Sequence, residues 1–219
     1  MTHWSDGFAE TACDAGIKEA RQYATFREWW EGTQRGDYML WLIGKVGYGD
    51  QRVLRLLAVR FVRETTLSDG RTAWDLLEDE RSRQAVIVAE RYANGEASGG
   101  ELRAAREAAW EVARTAAQVA EMAWGAAART AVWATVWAWG AAEWAAASSA
   151  ASAAIWTTGW AAVWATVWAV ERAAVWGGAK AEAEAAETRA VAQHAVIIRE
   201  MIPASEIEPL VNQYIGERR

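Results

Sequence analysis

Apolar residues in the first ninety or so positions recur at helical spacing. From Phe8 to Trp30 they fall three and four apart instead of alternating, which predicts a buried helix over this stretch. Asp37–Val46 carries the run Tyr38-Met39-Leu40-Trp41-Leu42-Ile43, stopped by Gly47 and Gly49, and predicts a second. Asp50 can cap a third, with Val53, Leu54, Leu57, Phe61 and Val62 facing inward and Arg52, Arg55, Arg60 and Arg63 facing outward. Ser68-Asp69-Gly70 has turn chemistry. After it, Trp74–Asn94 is a further amphipathic stretch, closed by Asn94-Gly95 as a left-handed C-cap.

The pattern changes at Ser98-Gly99-Gly100-Glu101, whose Ser and Glu stand at capping-box spacing ahead of a long helical stretch. From Leu102 to Ile202 there is no proline, and the residues are mostly Ala, Trp, Val, Thr, Ser and Gly with scattered charge. One helix of that length would span roughly 150 Å, so the chain is expected to fold back on itself, with Gly140, Ser148-Ser149, Thr158-Gly159 and Gly177-Gly178 as the break points. Val132–Ala138 recurs letter for letter as Val163–Ala169, which predicts two equivalent stacked helices. The expected fold class is therefore all-α, a helical bundle or solenoid-like array. Residues 1–97 form its N-terminal helical region; residues 98–219 form an Ala/Trp-rich repeat region closing with a C-terminal helix, both within what can be one continuous domain.

Composition sharpens this picture in three ways. Eleven of the sixteen tryptophans crowd into the alanine-rich half, where small residues let helices approach and large ones fill the gaps, so the tryptophan stripe reads as core. So many indoles are hard to bury in a thin array, and homo-oligomerisation is expected. Trp144–Val170 is long enough to span a bilayer and carries no charge, but its Ala, Ser, Thr and Gly content and the spread of Trp along it argue for a buried helix and against a membrane span. The net charge of -6 argues against nucleic acid as a partner. A single cysteine and the absence of a signal-peptide pattern make the cytoplasm the default compartment.

Catalytic chemistry is sparse. His3 lies in a terminus expected to be loose, His194 in a late helix, and neither has Cys or carboxylate neighbours at metal-ligand spacing, so no metal or cofactor is expected. Cys13 has no local base and reads as a small apolar core residue. Glu78-Asp79-Glu80 reads as a solvated first turn that suits the helix dipole. Gly44, Gly47 and Gly49 lack the strand and helix spacing of a phosphate loop. Two features remain as candidate sites. The stripe Arg52, Arg55, Arg60 and Arg63 could hold phosphate or carboxylate in guanidinium forks, or be a solvated face balanced by acidic neighbours. Trp29-Trp30, two adjacent aromatics, could present one exposed anchor to a partner or pack under a loop.

Four segments carry a resemblance to a known family: Tyr38-Met39-Leu40-Trp41-Leu42-Ile43-Gly44-Lys45; Leu77–Ala85; Ala89-Glu90-Arg91-Tyr92-Ala93-Asn94-Gly95-Glu96-Ala97; and Val196-Ile197-Ile198-Arg199-Glu200-Met201-Ile202-Pro203. In this order, around an Ala/aromatic repeat, they resemble the alanine-rich immunity-protein family of bacteria and phages. The resemblance implies an all-α protein without enzymatic motif or catalytic residues, assigned by genomic company to neutralising toxins. The expected function is thus a non-enzymatic binding protein that captures a protein toxin or effector by occupancy. Two alternatives stand beside it: a phage protein sequestering a small nucleotide-type ligand, with Trp on the bases and Arg on the phosphates, and a self-assembling helical module.

Overall fold

In the computed structural model, residues 3–66, 69–122 and 180–218 are described. Within them the chain is all-α, and the one β pairing is an isolated bridge between Thr66 and Thr72. A 3-10 turn over Trp4–Phe8 leads into α1 (Asp14–Ala20), α2 (Phe26–Gly32), α3 (Gly36–Lys45) and α4 (Gln51–Glu64). A second 3-10 turn, Trp74–Leu76, precedes α5 (Glu80–Ala93) and α6 (Gly99–Met122); α7 (Lys180–Met201) and α8 (Ala204–Gly216) follow. The exact Val-Trp-Ala-Thr-Val-Trp-Ala repeat, the four proposed break points and the uncharged Trp144–Val170 segment all lie outside the described residues.

Local signals set most of the helix ends. The Asp50 carboxylate accepts from the Val53 amide at 2.9 Å, as its position predicts. Ser98 and Glu101 close a reciprocal capping box, with the Ser98 amide donating to Glu101 at 2.8 Å and the Glu101 amide to Ser98 at 3.2 Å. Gly95 takes φ +76° just beyond α5, the left-handed position only glycine adopts without strain. Asp79 caps α5, the solvated first turn expected of Glu78-Asp79-Glu80.

Three expectations are corrected. Phe8–Trp30 is not one helix: it is broken at Thr11–Cys13 and again before Thr25, whose hydroxyl and the Glu28 side chain form a capping box that starts α2 afresh. The Trp74–Asn94 stretch likewise splits, because Asp79 caps a new helix five residues after the 3-10 turn starts. His3 is also not loose: its ring nitrogens lie 2.8 Å from the Ser5 hydroxyl and 2.8 Å from the Tyr23 carbonyl.

The helices enclose two apolar cores that share α4. Leu57 and Phe61, one turn apart, face a core made with Phe8, Phe26, Trp30, Met39, Ile43, Ile198, Ile202 and Ile207. Val59 and Val62 point the other way, into a smaller core with Leu77, Val86, Ala89 and Leu102. Val62 thus leaves the inward face assigned to it from spacing, because α4 is covered on both sides. The first core draws on both ends of the chain, so α7 and α8 pack within the N-terminal region instead of forming a core of their own.

The contact that makes this possible is between α3 and α7. At Gly36 a Cβ would stand 2.7 Å from both the Ala195 amide nitrogen and the Val191 carbonyl oxygen, so the two backbones touch where no side chain intervenes. His194, wholly buried beside this crossing, has one ring nitrogen 2.9 Å from the Thr65 hydroxyl and lies over Phe61, with centroids 4.2 Å apart. Beyond it, Gln193 binds the Thr66 backbone at both N–H (2.7 Å) and C=O (3.1 Å), and Arg199 donates to the Thr33 and Trp30 carbonyls at the end of α2.

Two outcomes follow. Gly36→Ala gains helix propensity but drives a methyl into backbone that cannot rotate away, and is expected to lower stability by about 1–3 kcal/mol in urea denaturation; an unchanged midpoint would mean that the helices do not cross this closely. Burial pushes the His194 pKa down from 6.5 to about 3, so between those values the unfolded chain binds a proton that the folded one refuses. Stability should therefore be full above pH 6.5 and fall by about 1.4 kcal/mol per pH unit as pH drops below it. Between pH 5 and 6, above the range where Asp6, Asp69, Asp75 and Asp79 protonate, His194→Gln should flatten that slope.

Candidate ligand pocket

The arginine stripe does not converge on a site. Arg52 donates to the Ala93 carbonyl at 3.0 Å and to Asn94 at 3.1 Å, and Arg55 lies over the Tyr92 ring at 5.2 Å. Arg63 pairs with Glu90 at 2.7 Å and covers Trp74 at 4.8 Å. Arg60 turns the other way, pairing with Glu64 and with Glu200 of α7, each at 2.6 Å. These positions fall along the edge of α4 that α5 covers, with Arg60 across on the α7 side. The guanidiniums are engaged in joining α4 to its neighbours, and an anion would have to displace those partners.

Trp29 and Trp30 are not exposed anchors either. They are 3% and 1% exposed. Of the two readings, exposed anchor or packed residue, both side chains follow the second, because α2 is covered on two sides. Trp29 reaches Trp4 and Phe26 and donates its indole N–H to Glu19, while Trp30 turns towards α7 and donates to the Ile202 carbonyl at 3.1 Å. Glu19 also accepts from Thr33 at 2.6 Å, so one carboxylate ties α1 to both ends of this turn of chain.

What this packing leaves open is a pocket of about 440 Å³ between the Trp4–Phe8 turn, α1 and α3, with Trp29 of α2 at its wall. Trp4, Phe8, Tyr38 and Trp41 supply large rings; Ala12, Gly16 and Ala20 face them with little or no side chain. The rings meet mainly edge to face, Phe8 with Trp41 at 6.0 Å and 71° and Trp4 with Phe8 at 6.5 Å and 71°. The Trp4 indole N–H finds no acceptor among the described residues.

One end of the pocket is polar. Arg35 grips Asp37 through both carboxylate oxygens, at 2.8 and 2.5 Å, and its guanidinium carbon stands 3.7 Å over the Tyr38 ring. The Asp37 hydrogen bond raises the Arg35 pKa, holding it charged, and burial raises that of the Tyr38 hydroxyl, holding it neutral. Ion pair and phenol together offer donors and an acceptor with no net charge.

Cys13 also lines this pocket. The thiol is exposed, not the buried core residue expected, because it sits at the N-cap of α1, where its sulfur accepts from the Gly16 amide at 3.4 Å. His194 is wholly buried with one ring nitrogen on the Thr65 hydroxyl, whereas this thiol is exposed. Among the described residues no cluster of His, Cys, Asp and Glu could hold a metal ion, and no helix is long and apolar enough to cross a membrane. Sequence reasoning missed the pocket; the available signals were the glycine and alanines of residues 12–20 set against a ring-rich α3.

Compared with protein-family models, with curated proteins and with solved structures, the chain gives no match.

The placement of Cys13 has a direct check. In the native protein it should take one equivalent of iodoacetamide at a rate comparable with that of the urea-unfolded chain. A thiol that reacts only after unfolding would return it to the core.

Proposed function

We propose that the protein is a non-enzymatic binding protein that neutralises a protein toxin or effector by occupancy, with the pocket of the N-terminal helices receiving an anchor side chain of the partner. The observation that carries this reading is the open, ring-walled cavity. Interfaces draw most of their affinity from a few anchors that fill such desolvated pockets, and its volume lies in the range of pockets that hold ligands. The resemblance to the immunity-protein family supports the choice of a toxin as partner. Two of the segments that carry it, Tyr38–Lys45 and Val196–Pro203, lie on the helices that meet at Gly36, the contact on which the pocket's wall depends.

Neutralisation by occupancy requires no catalytic group, only shape and a slow release. A sequestered nucleotide would need free guanidiniums for its phosphates, and the four arginines first considered for that role are joined to Ala93, Tyr92, Glu64, Glu200 and Glu90.

Co-expression with the toxic product of a neighbouring gene tests the reading. The wild-type chain should restore growth and run with that product as one complex in native mass spectrometry. Ala12→Phe, which places a ring in the pocket, should lose both at equal expression. Rescue undiminished by Ala12→Phe would remove the pocket from the mechanism, and a co-purifying phosphorylated small molecule would move the assignment to sequestration.

A further inference from the structure

The pocket's chemistry narrows what can enter it. Its wall rings already meet one another edge to face, an arrangement that an inserted ring can extend and an aliphatic chain cannot. The facing residues Ala12, Gly16 and Ala20 are small, which leaves room for a two-ring side chain beside them. At the polar end, Arg35, 43% exposed, is matched by the Asp37 carboxylate, 11% exposed. An anionic group would meet Asp37 as well as Arg35, and a cationic group the reverse. Either would surrender its hydration with no unpaired counter-ion to replace it. A neutral ring with one polar edge suffers neither loss, and its N–H or O–H can meet the ion pair.

We infer that the pocket takes an uncharged aromatic ring with a polar edge, an indole or phenol, presented as a tryptophan or tyrosine side chain of the partner. This rests on the occupancy reading of the same pocket and adds the identity of the inserted group.

Cys13 makes the inference measurable, since it is the only cysteine of the chain, is exposed and lines the pocket. The rate of its alkylation by iodoacetamide in the full chain is followed with indole, indole-3-acetate or tryptamine present. Indole at about ten times its dissociation constant should slow alkylation about tenfold, while the two charged analogues at the same concentration leave it unchanged. In Ala12→Phe the rate should no longer respond to indole. Asp37→Asn leaves Arg35 uncompensated, so indole-3-acetate should begin to protect; this variant carries the test should Ala12→Phe fail to fold. Equal protection by all three compounds, better protection by indole-3-acetate in the wild type, or none by indole up to its solubility, would overturn the inference. If indole fails while Ala12→Phe still abolishes the partner complex, occupancy stands and the ring chemistry falls. If indole protects and no partner complex forms, the ring chemistry stands and the protein-partner reading falls.

Discussion

The close passage of α7 over Gly36 is the contact from which the rest of the described fold is arranged. With no side chain between them at Gly36, the two backbones meet at Val191 and Ala195. That crossing puts His194 over Phe61 and beside Thr65, Arg199 under the carbonyls that end α2, and the Ile202 carbonyl within reach of the Trp30 indole. A seven-residue helix such as α2 has no stability of its own, since helices this short do not offset the cost of nucleation. It is held by what α7 and α8 supply, including the Arg27–Glu208 ion pair at its outer edge. Because α2 is held, Trp29 has a fixed place, and one wall of the pocket is fixed with it.

Arginine rather than lysine along α4 fits the same logic. Isolated surface ion pairs contribute little, typically about 0–1 kcal/mol. What Arg55 and Arg63 add is a planar guanidinium over Tyr92 and Trp74, a contact that covers the edge of the smaller core as well as carrying charge. Arg60 does the equivalent towards α7 by binding Glu200. The helix that divides the two cores is thus fastened on both sides by long side chains, which is why a stripe that looks like an anion site in one dimension is occupied in three.

The parts of the fold that were legible in the sequence are those decided within four or five residues. The Asp50 cap, the Ser98/Glu101 box, the turn at Gly95 and the stop at Gly47 depend on local backbone chemistry, and each stands where its residues place it. Thr25 and Glu28 carried the same kind of signal, overlooked because the apolar spacing from Phe8 to Trp30 ran across it. The burial of both Trp29 and Trp30, the exposure of Cys13 and the anchoring of His3 depend on partners up to 172 residues away or on a loop's path, and no local pattern encodes them. The pocket belongs to that second kind. Arg35 and Asp37 are two apart and could be paired from sequence, but that they close a cavity opened by Gly16 and Ala20 is a property of the assembled helices.

Why the pocket is left open has a physical answer in those small residues. Protein interiors pack to near-crystalline density, and an apolar void lined by rings costs the dispersion contacts its walls forgo. Exchanging Ala12 or Ala20 for a larger apolar residue would recover those contacts within the chain, at least where the mouth is wide enough to avoid strain. A chain that places its smallest residues opposite Trp4, Phe8 and Trp41 has instead kept that stabilisation unrealised in the free state. On the proposed occupancy reading, a partner's side chain brings the missing atoms, and the free energy forgone in folding is released on binding. On that reading the void is part of the affinity, and a wall fixed by the packing of Trp29 means that little of it is lost to rearrangement.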